Sequence, residues 1–233
     1  MATGEGIDME PCAIDSVLFD LDGTLVDSVE LILNSYQHVH REHLQDVAVA
    51  GDHYRSKLGV PLLQIYQELV EDEVRAAQLV EAYKKHNRTL HDGMVRCYPG
   101  VKQMLHQLDE SGVALAIVTS KGREVALRGL RICEIDRFFA TIVALENVEH
   151  HKPDPQPVER AVELLGTTAE RTLFVGDAPT DIAAGRAAGV LTGAALWGPF
   201  PRDSMQQHPP DFWFESPLEI PAIVARSAIG IRD

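Results

Sequence analysis

Two aspartates, Asp20 and Asp22, stand either side of a single leucine in SVLFDLDGTLVDS, residues 16–28. Alternate side chains of an extended segment share a face, so both carboxylates can enter one cleft. Two more, Asp177 and Asp181, lie in GDAPTD, residues 176–181. A like-charged pair about 4 Å apart costs roughly 4 kcal/mol at an effective dielectric of about 20. Four such groups in one place would rival the net stability of a domain unless a bound dication removed the repulsion. Carboxylates, a backbone carbonyl and water are hard oxygen ligands, and an incomplete cage with room for substrate oxygens suits Mg2+. An aspartate beside such an ion can attack phosphorus. A second carboxylate can protonate the leaving oxygen and then activate water. The transferring group also needs donors for its spread charge. Thr119 and Ser120 offer hydroxyl and backbone N–H groups, and Lys152 in HHKPDP offers a positive charge. Gly23, with Thr24 after it, lets the backbone turn tightly and present N–H groups.

These residues share a position: each segment follows a short apolar run. Val17 to Phe19 leads into Asp20, Val113 to Val118 into Thr119, and Leu173 to Val175 into Gly176 and Asp177. Ile142 to Leu145 is a further run, and a weaker one lies around Ala194 to Trp197. Their lengths suit buried strands. Helical spacing appears between them, in residues 99–112, 154–166 and 180–189, with Pro near the start of the first two and Gly after all three. Strand and helix in alternation predict an α/β fold, a doubly wound parallel sheet covered on both faces. Reactive groups in such folds sit at the carboxyl ends of the strands.

One region breaks the alternation. Residues 29–94 contain no convincing strand and read as amphipathic helices around a loop, AGDHYRSKLGV. The expected organisation is a loose tail over 1–13, an α/β core over 14–28 and 95–233, and a helical insert over 29–94, with HDGMVRCYPG as the return linker.

The 233-residue chain carries a net charge of −14, which makes nucleic acid and anionic membranes poor partners. The cation-lined cleft of a small anionic substrate remains compatible with that charge. No apolar stretch approaches a membrane span and no export signal is evident, so a cytoplasmic location is expected. Three widely spaced cysteines, Cys12, Cys97 and Cys133, make neither a zinc pattern nor a disulfide framework.

The four segments, in this order, resemble the motifs of the haloacid dehalogenase-like (HAD) phosphatases, in the branch whose helical cap is inserted after the first strand. DLDGTLVDS resembles the first motif, VTS the second, Lys152 the third and GDAPTD the fourth, and the resemblance covers residues 14–220. It implies that Asp20 is the nucleophile and Asp22 the general acid/base. It further implies that Asp20, the carbonyl of Asp22 and Asp177 hold Mg2+, with Asp181 as a further ligand or as a partner of the ligands, and that Gly23, Thr24, Thr119, Ser120 and Lys152 hold the phosphate. The resemblance implies a cap that selects the leaving group, with Tyr54, Arg55 and Lys57 as its candidates.

Within the family, LENVEHHKPDPQPVERAVELLG and AALWG resemble both the phosphoglycolate phosphatases and a bacterial pyrophosphatase group, and YKKHNRTLHDGMV resembles the second. The resemblance implies a Mg2+-dependent, phosphoglycolate phosphatase-like enzyme that hydrolyses a small phosphorylated metabolite through an aspartyl-phosphate, in a monomer or homodimer. The alternatives are a pyrophosphatase, a beta-phosphoglucomutase-like isomerase and a non-catalytic phosphate-binding protein. The intact set of Asp20, Asp22, Thr119, Lys152 and Asp177 argues against the last. His53, His150 and His151 read as structural rather than as metal ligands, since imidazole suits a softer ion. Asp27 and Ser28 read as a helix cap. Trp197, Trp213 and Phe214 read as packing, and Cys97 and Cys133 as buried or inert.

Overall fold

The computed structural model describes residues 13–229. The first strand, β1 (Ser16–Phe19), is buried along its whole length. It is followed by β2 (Val26–Asp27) and then by four helices: α1 (Val29–His43), α2 (His53–Ser56), α3 (Leu62–Leu69) and α4 (Glu73–Met94). The chain returns through β3 (Arg96–Cys97), which pairs antiparallel with β2. It then alternates through α5 (Val101–Glu110), β4 (Ala114–Val118), α6 (Arg123–Ile132), β5 (Thr141–Val143), α7 (Gln156–Leu165) and β6 (Thr172–Gly176). The remaining elements are α8 (Pro179–Ala187), β7 (Leu191–Ala195), β8 (Phe212–Phe214) and α9 (Ile220–Ile229).

Six strands form one parallel sheet in the order β5-β4-β1-β6-β7-β8. The chain winds outward from β1 in both directions, which is the doubly wound α/β arrangement expected from the alternation. The topological switch lies between β1 and β6, and such sheets place their crevice there, beyond the carboxyl ends of the strands.

Both faces of β1 are covered, which explains its uninterrupted apolar run. Val17 and Phe19 join a cluster with Val101, Met104 and Leu105 of α5, Leu130 of α6 and Ile220 of α9. Leu18 joins a second cluster on the opposite face, with Val158 and Ala161 of α7 and Ala184 of α8. Burying each large side chain here stabilises the fold by about 1.5–3 kcal/mol. Gly185 of α8 allows the close approach to the sheet, because a Cβ there would lie 2.6 Å from the Thr192 methyl.

Helices α1 to α4 pack around a separate apolar cluster that includes Leu33, Tyr36, Val39, Ile65, Tyr66, Leu79 and Tyr83. Asp72 caps α4 by accepting hydrogen bonds from the backbone of Val74 and Arg75. Three local differences from the sequence expectations stand out. Helix α4 runs through Gly93 to Met94, so HDGM is helical rather than linker. Helix α6 was not foreseen, although Ala126, Gly129 and Leu130 are buried at helical spacing. Asp27 lies in β2 rather than at a cap. Cys12 and residues 1–12 of the expected tail lie outside the described residues.

Candidate active site

The ends of β1, β4 and β6 bring the strand-end groups into one hollow. Parallel register sets Phe19 beside Ile117 of β4 and Val175 of β6, so the residues that follow emerge side by side. Asp20, Asp177 and Asp181 each offer a carboxylate oxygen, and these oxygens lie within 4.8 Å of one another. All three are buried, at 7%, 2% and 1% exposure. Among the described residues this is the one group of His, Cys, Asp or Glu side chains so arranged. His53, His150 and His151 stand outside it.

One cation is built into the cluster. Lys152 Nζ donates to Asp20 Oδ1 at 2.7 Å, to Asp181 Oδ1 at 2.6 Å and to the carbonyl of Val118 at 3.3 Å. Burial works against its charge, but the carboxylates of Asp181 and Asp20 outweigh burial and hold the ammonium above its ordinary range. The compensation is incomplete. Burial pushes Asp20 up to about 7 against the pull of Lys152. Burial, with Asp20 and Asp181 adding to it, raises Asp177 well above the carboxylate range. Three hard carboxylate donors around a single ammonium therefore fit a small dication, which would relieve the remaining repulsion.

Asp177 is held from two sides. Thr24 Oγ1 donates to its Oδ1 at 2.8 Å, and Trp197 Nε1 donates to the Thr24 carbonyl at 2.8 Å. Gly23, at φ 91°, passes so close that a Cβ would lie 2.6 Å from the Asp177 carboxylate oxygens. A Cβ on Gly198 would lie 2.4 Å from Asp177 Cβ. Asp181 is aimed by the backbone N–H of Ala178, which donates to its Oδ2 at 3.0 Å.

Several expected positions are occupied differently. Thr24 is fully buried and gives its hydroxyl to Asp177, so it supports a carboxylate rather than facing the cleft. The Asp22 carboxylate lines the same cavity as Asp20 but is not part of the close group of three. It accepts from Ser28 Oγ and from Lys121 Nζ, the latter at 2.6 Å. Ser28 precedes α1 but makes no side-chain cap, because its hydroxyl is spent on Asp22. Trp197 does more than pack, since it anchors the first motif loop. Sequence reasoning missed Lys121, Trp197 and Gly198. Lys121 immediately follows Thr119 and Ser120, which was the available signal.

A cavity of about 280 Å3 opens above Asp20 and Asp22, between the sheet edge and the helical layer. Thr119, Ser120 and Lys121 line its floor. Ser120 Oγ is buried without a hydrogen-bond partner, which leaves it free for a substrate oxygen. Tyr36, Tyr83, Lys84, Asn87 and Arg88 line the opposite side. Tyr54, Arg55 and Lys57 do not line it. Tyr54 is buried against Tyr36 with ring centroids 4.9 Å apart, and its hydroxyl contacts His40 Nδ1. Arg55 is 3.9 Å from Glu30, and Lys57 is paired with Glu68.

The family model for haloacid dehalogenase-like hydrolases matches residues 17–195. The chain belongs to the haloacid dehalogenase-like hydrolases. Among curated relatives, the pyrophosphatase PpaX of Halalkalibacterium halodurans is 39% identical over 92% of this chain and 99% of its own. The pyrophosphatase PpaX of Oceanobacillus iheyensis is 34% identical over the same shares. A solved structure from Lactobacillus plantarum, described as a candidate phosphoglycolate phosphatase, is 25% identical with a TM-score of 0.79, over 89% of this chain and 98% of that one. A hydrolase from Pseudomonas syringae, 23% identical over 91% of this chain and 98% of that one, shares this fold with a TM-score of 0.81. Among the described residues of this HAD hydrolase, no helix is long and apolar enough to cross a membrane.

Proposed function

We infer that this HAD hydrolase is a Mg2+-dependent phosphatase that works through an aspartyl-phosphate on Asp20, and that inorganic pyrophosphate is its substrate. The observation that carries the mechanism is the buried triad of Asp20, Asp177 and Asp181 bridged by Lys152. Asp20, Asp177 and Asp181 would hold the ion. When bound, it supplies charge neutralisation for the carboxylates and for the phosphoryl oxygens.

The chain's own groups account for the remaining steps. Lys152 fixes one oxygen of Asp20 and keeps a positive charge at the bottom of the site. Asp20 attacks phosphorus, and the bond to the leaving oxygen breaks as that oxygen takes a proton from Asp22. Asp22, held by Ser28 and Lys121, then takes a proton from the water that hydrolyses the aspartyl-phosphate. Thr119 and Ser120 receive the phosphoryl oxygens. The helical layer serves as the cap that covers the cleft and limits water. The choice of pyrophosphate over phosphoglycolate rests on the PpaX relatives, which are the more similar proteins.

Phosphate release from pyrophosphate and from phosphoglycolate, each with and without Mg2+, tests this reading. A metal-dependent preference for pyrophosphate is expected, and preferential hydrolysis of phosphoglycolate would overturn the substrate assignment.

A further inference from the structure

We propose that Arg88, with Lys84 one turn before it, is the cation by which the helical layer selects substrates whose leaving group carries its own phosphate or carboxylate. This rests on reading the site as a phosphatase and adds the class of leaving group and the residue that recognises it.

The placement follows from helical spacing. Lys84, Asn87 and Arg88 lie three and four residues apart on α4, so they share one face, and that face lines the cavity above Asp20. Asn87 is buried and ties this face to α1 through Ser35 Oγ at 3.1 Å. The face is thus fixed relative to α1, whose Ile32 and Tyr36 line the same cavity.

Arg88 makes no direct ion pair; the carboxylate that acts on it, Glu81, is in contact with Lys84 instead. Several cations of the helical layer have carboxylate partners: Arg41 with Glu42, Arg55 with Glu30, Lys57 with Glu68 and Arg75 with Asp46. Lys84 is held 2.8 Å from Glu81. Among the described residues Arg88 makes no ion pair or hydrogen bond. Glu124 and Glu146 also line the cavity, and neither pairs with it. In a chain of net charge −14, a guanidinium without an ion pair at the cleft stays available to an anion.

The floor of the cleft already supplies what the transferred phosphoryl group needs: Lys152, Thr119 and Ser120. The other cation at the floor, Lys121, is already engaged by Asp22 at 2.6 Å, and the carboxylates of Asp20 and Asp22 repel a second anionic group there. The wall beside α4 is apolar, formed by Ile32, Tyr36, Leu58 and Val60. Arg88 is the polar feature of that wall that no protein group satisfies. A guanidinium pairs bidentately with phosphate or carboxylate and gains nothing from an uncharged alcohol.

The test compares pyrophosphate, phosphoglycolate and p-nitrophenyl phosphate, whose leaving group has no second anionic group, in the full-length protein with Mg2+. The quantity read is the ratio of kcat/KM for pyrophosphate to that for p-nitrophenyl phosphate. Arg88→Gln is expected to lower this ratio about tenfold or more, chiefly through KM, and Arg88→Lys is expected to restore part of it. Arg55→Gln is expected to leave the ratio where it was. Circular dichroism confirms that each variant is folded. An unchanged ratio in Arg88→Gln overturns the inference and leaves the phosphatase reading standing. So does a wild-type enzyme that shows no preference for the two anionic leaving groups. A protein inactive on all three substrates overturns both.

Discussion

Lys152 Nζ sits 2.6 Å from Asp181 Oδ1, in a site where both side chains are withdrawn from water. The same ammonium reaches Asp20 at 2.7 Å, so one side chain compensates two buried carboxylates. Removing one partner of a buried charge cluster costs about 3–5 kcal/mol, because the rest is left unpaired. Lys152→Met is expected to destabilise the metal-free protein by about that amount. Urea unfolding measures it, and a loss well under about 1 kcal/mol would show that Lys152 is not compensating these charges.

Metal-linked stability should depend on pH with a definite sign. Burial holds Asp20 up to about 7 and Asp177 well above the carboxylate range, whereas the unfolded carboxylates titrate near 3.8. The folded metal-free protein therefore binds more protons than the unfolded chain between about pH 4 and 7. Across that window these groups make stability fall as pH rises. Mg2+ competes with those protons, so it should raise the melting temperature more at about pH 8 than at about pH 5. Thermal unfolding with and without Mg2+ checks this, and equal shifts at both values would contradict it.

Two glycines make opposite test cases. A Cβ on Gly198 would lie 2.4 Å from Asp177 Cβ and 2.8 Å from the Gly23 carbonyl, and neither neighbour can yield cheaply. Gly198→Ala is expected to destabilise the fold by about 1–3 kcal/mol and to weaken Mg2+ activation. A Cβ on Gly93 meets nothing within 4 Å, and the residue lies inside α4. Gly93→Ala should add roughly 0.5–1 kcal/mol without changing turnover. Paired melting curves and phosphate-release rates distinguish the two, and a harmless Gly198→Ala would remove the argument for close packing at Asp177.

Asp22 is expected to matter in proportion to the leaving group's need for a proton. Asp22→Asn should lower kcat on phosphoglycolate by about 10²–10⁴-fold. The loss in the phosphorylation step should be smaller on p-nitrophenyl phosphate, whose leaving oxygen departs readily unprotonated. Burst kinetics on both esters separate that step from hydrolysis of the intermediate. Equal losses in the burst would show that Asp22 does not protonate the leaving group.

Sequence patterns exposed most of the sheet because a doubly covered parallel strand must be apolar throughout. The strand ends were visible for the same reason: Asp20, Thr119 and Asp177 each stand where an apolar run stops. What escaped was non-local. Trp197 contacts the Thr24 carbonyl from 173 positions away, and nothing around either residue announces the other. Arg55 and Lys57 looked available because partners distant in sequence are invisible there. Lys57 is paired by Glu68 on α3, and Arg55 faces Glu30 on α1. Arg88 was hidden because a lone arginine on an exposed helix carries no signal until the cavity beneath it is seen. Ser28 has the composition of a cap, and only its hydrogen bond to Asp22 assigns it elsewhere.

The central claim is that Asp20 is phosphorylated. Rapid quenching of the enzyme with Mg2+ and radiolabelled pyrophosphate tests it directly. The expected result is protein-bound label that hydroxylamine releases and that maps to Asp20, with none in Asp20→Asn, which should be folded and inactive. Full turnover by Asp20→Asn, or label carried on another residue, would contradict the mechanism.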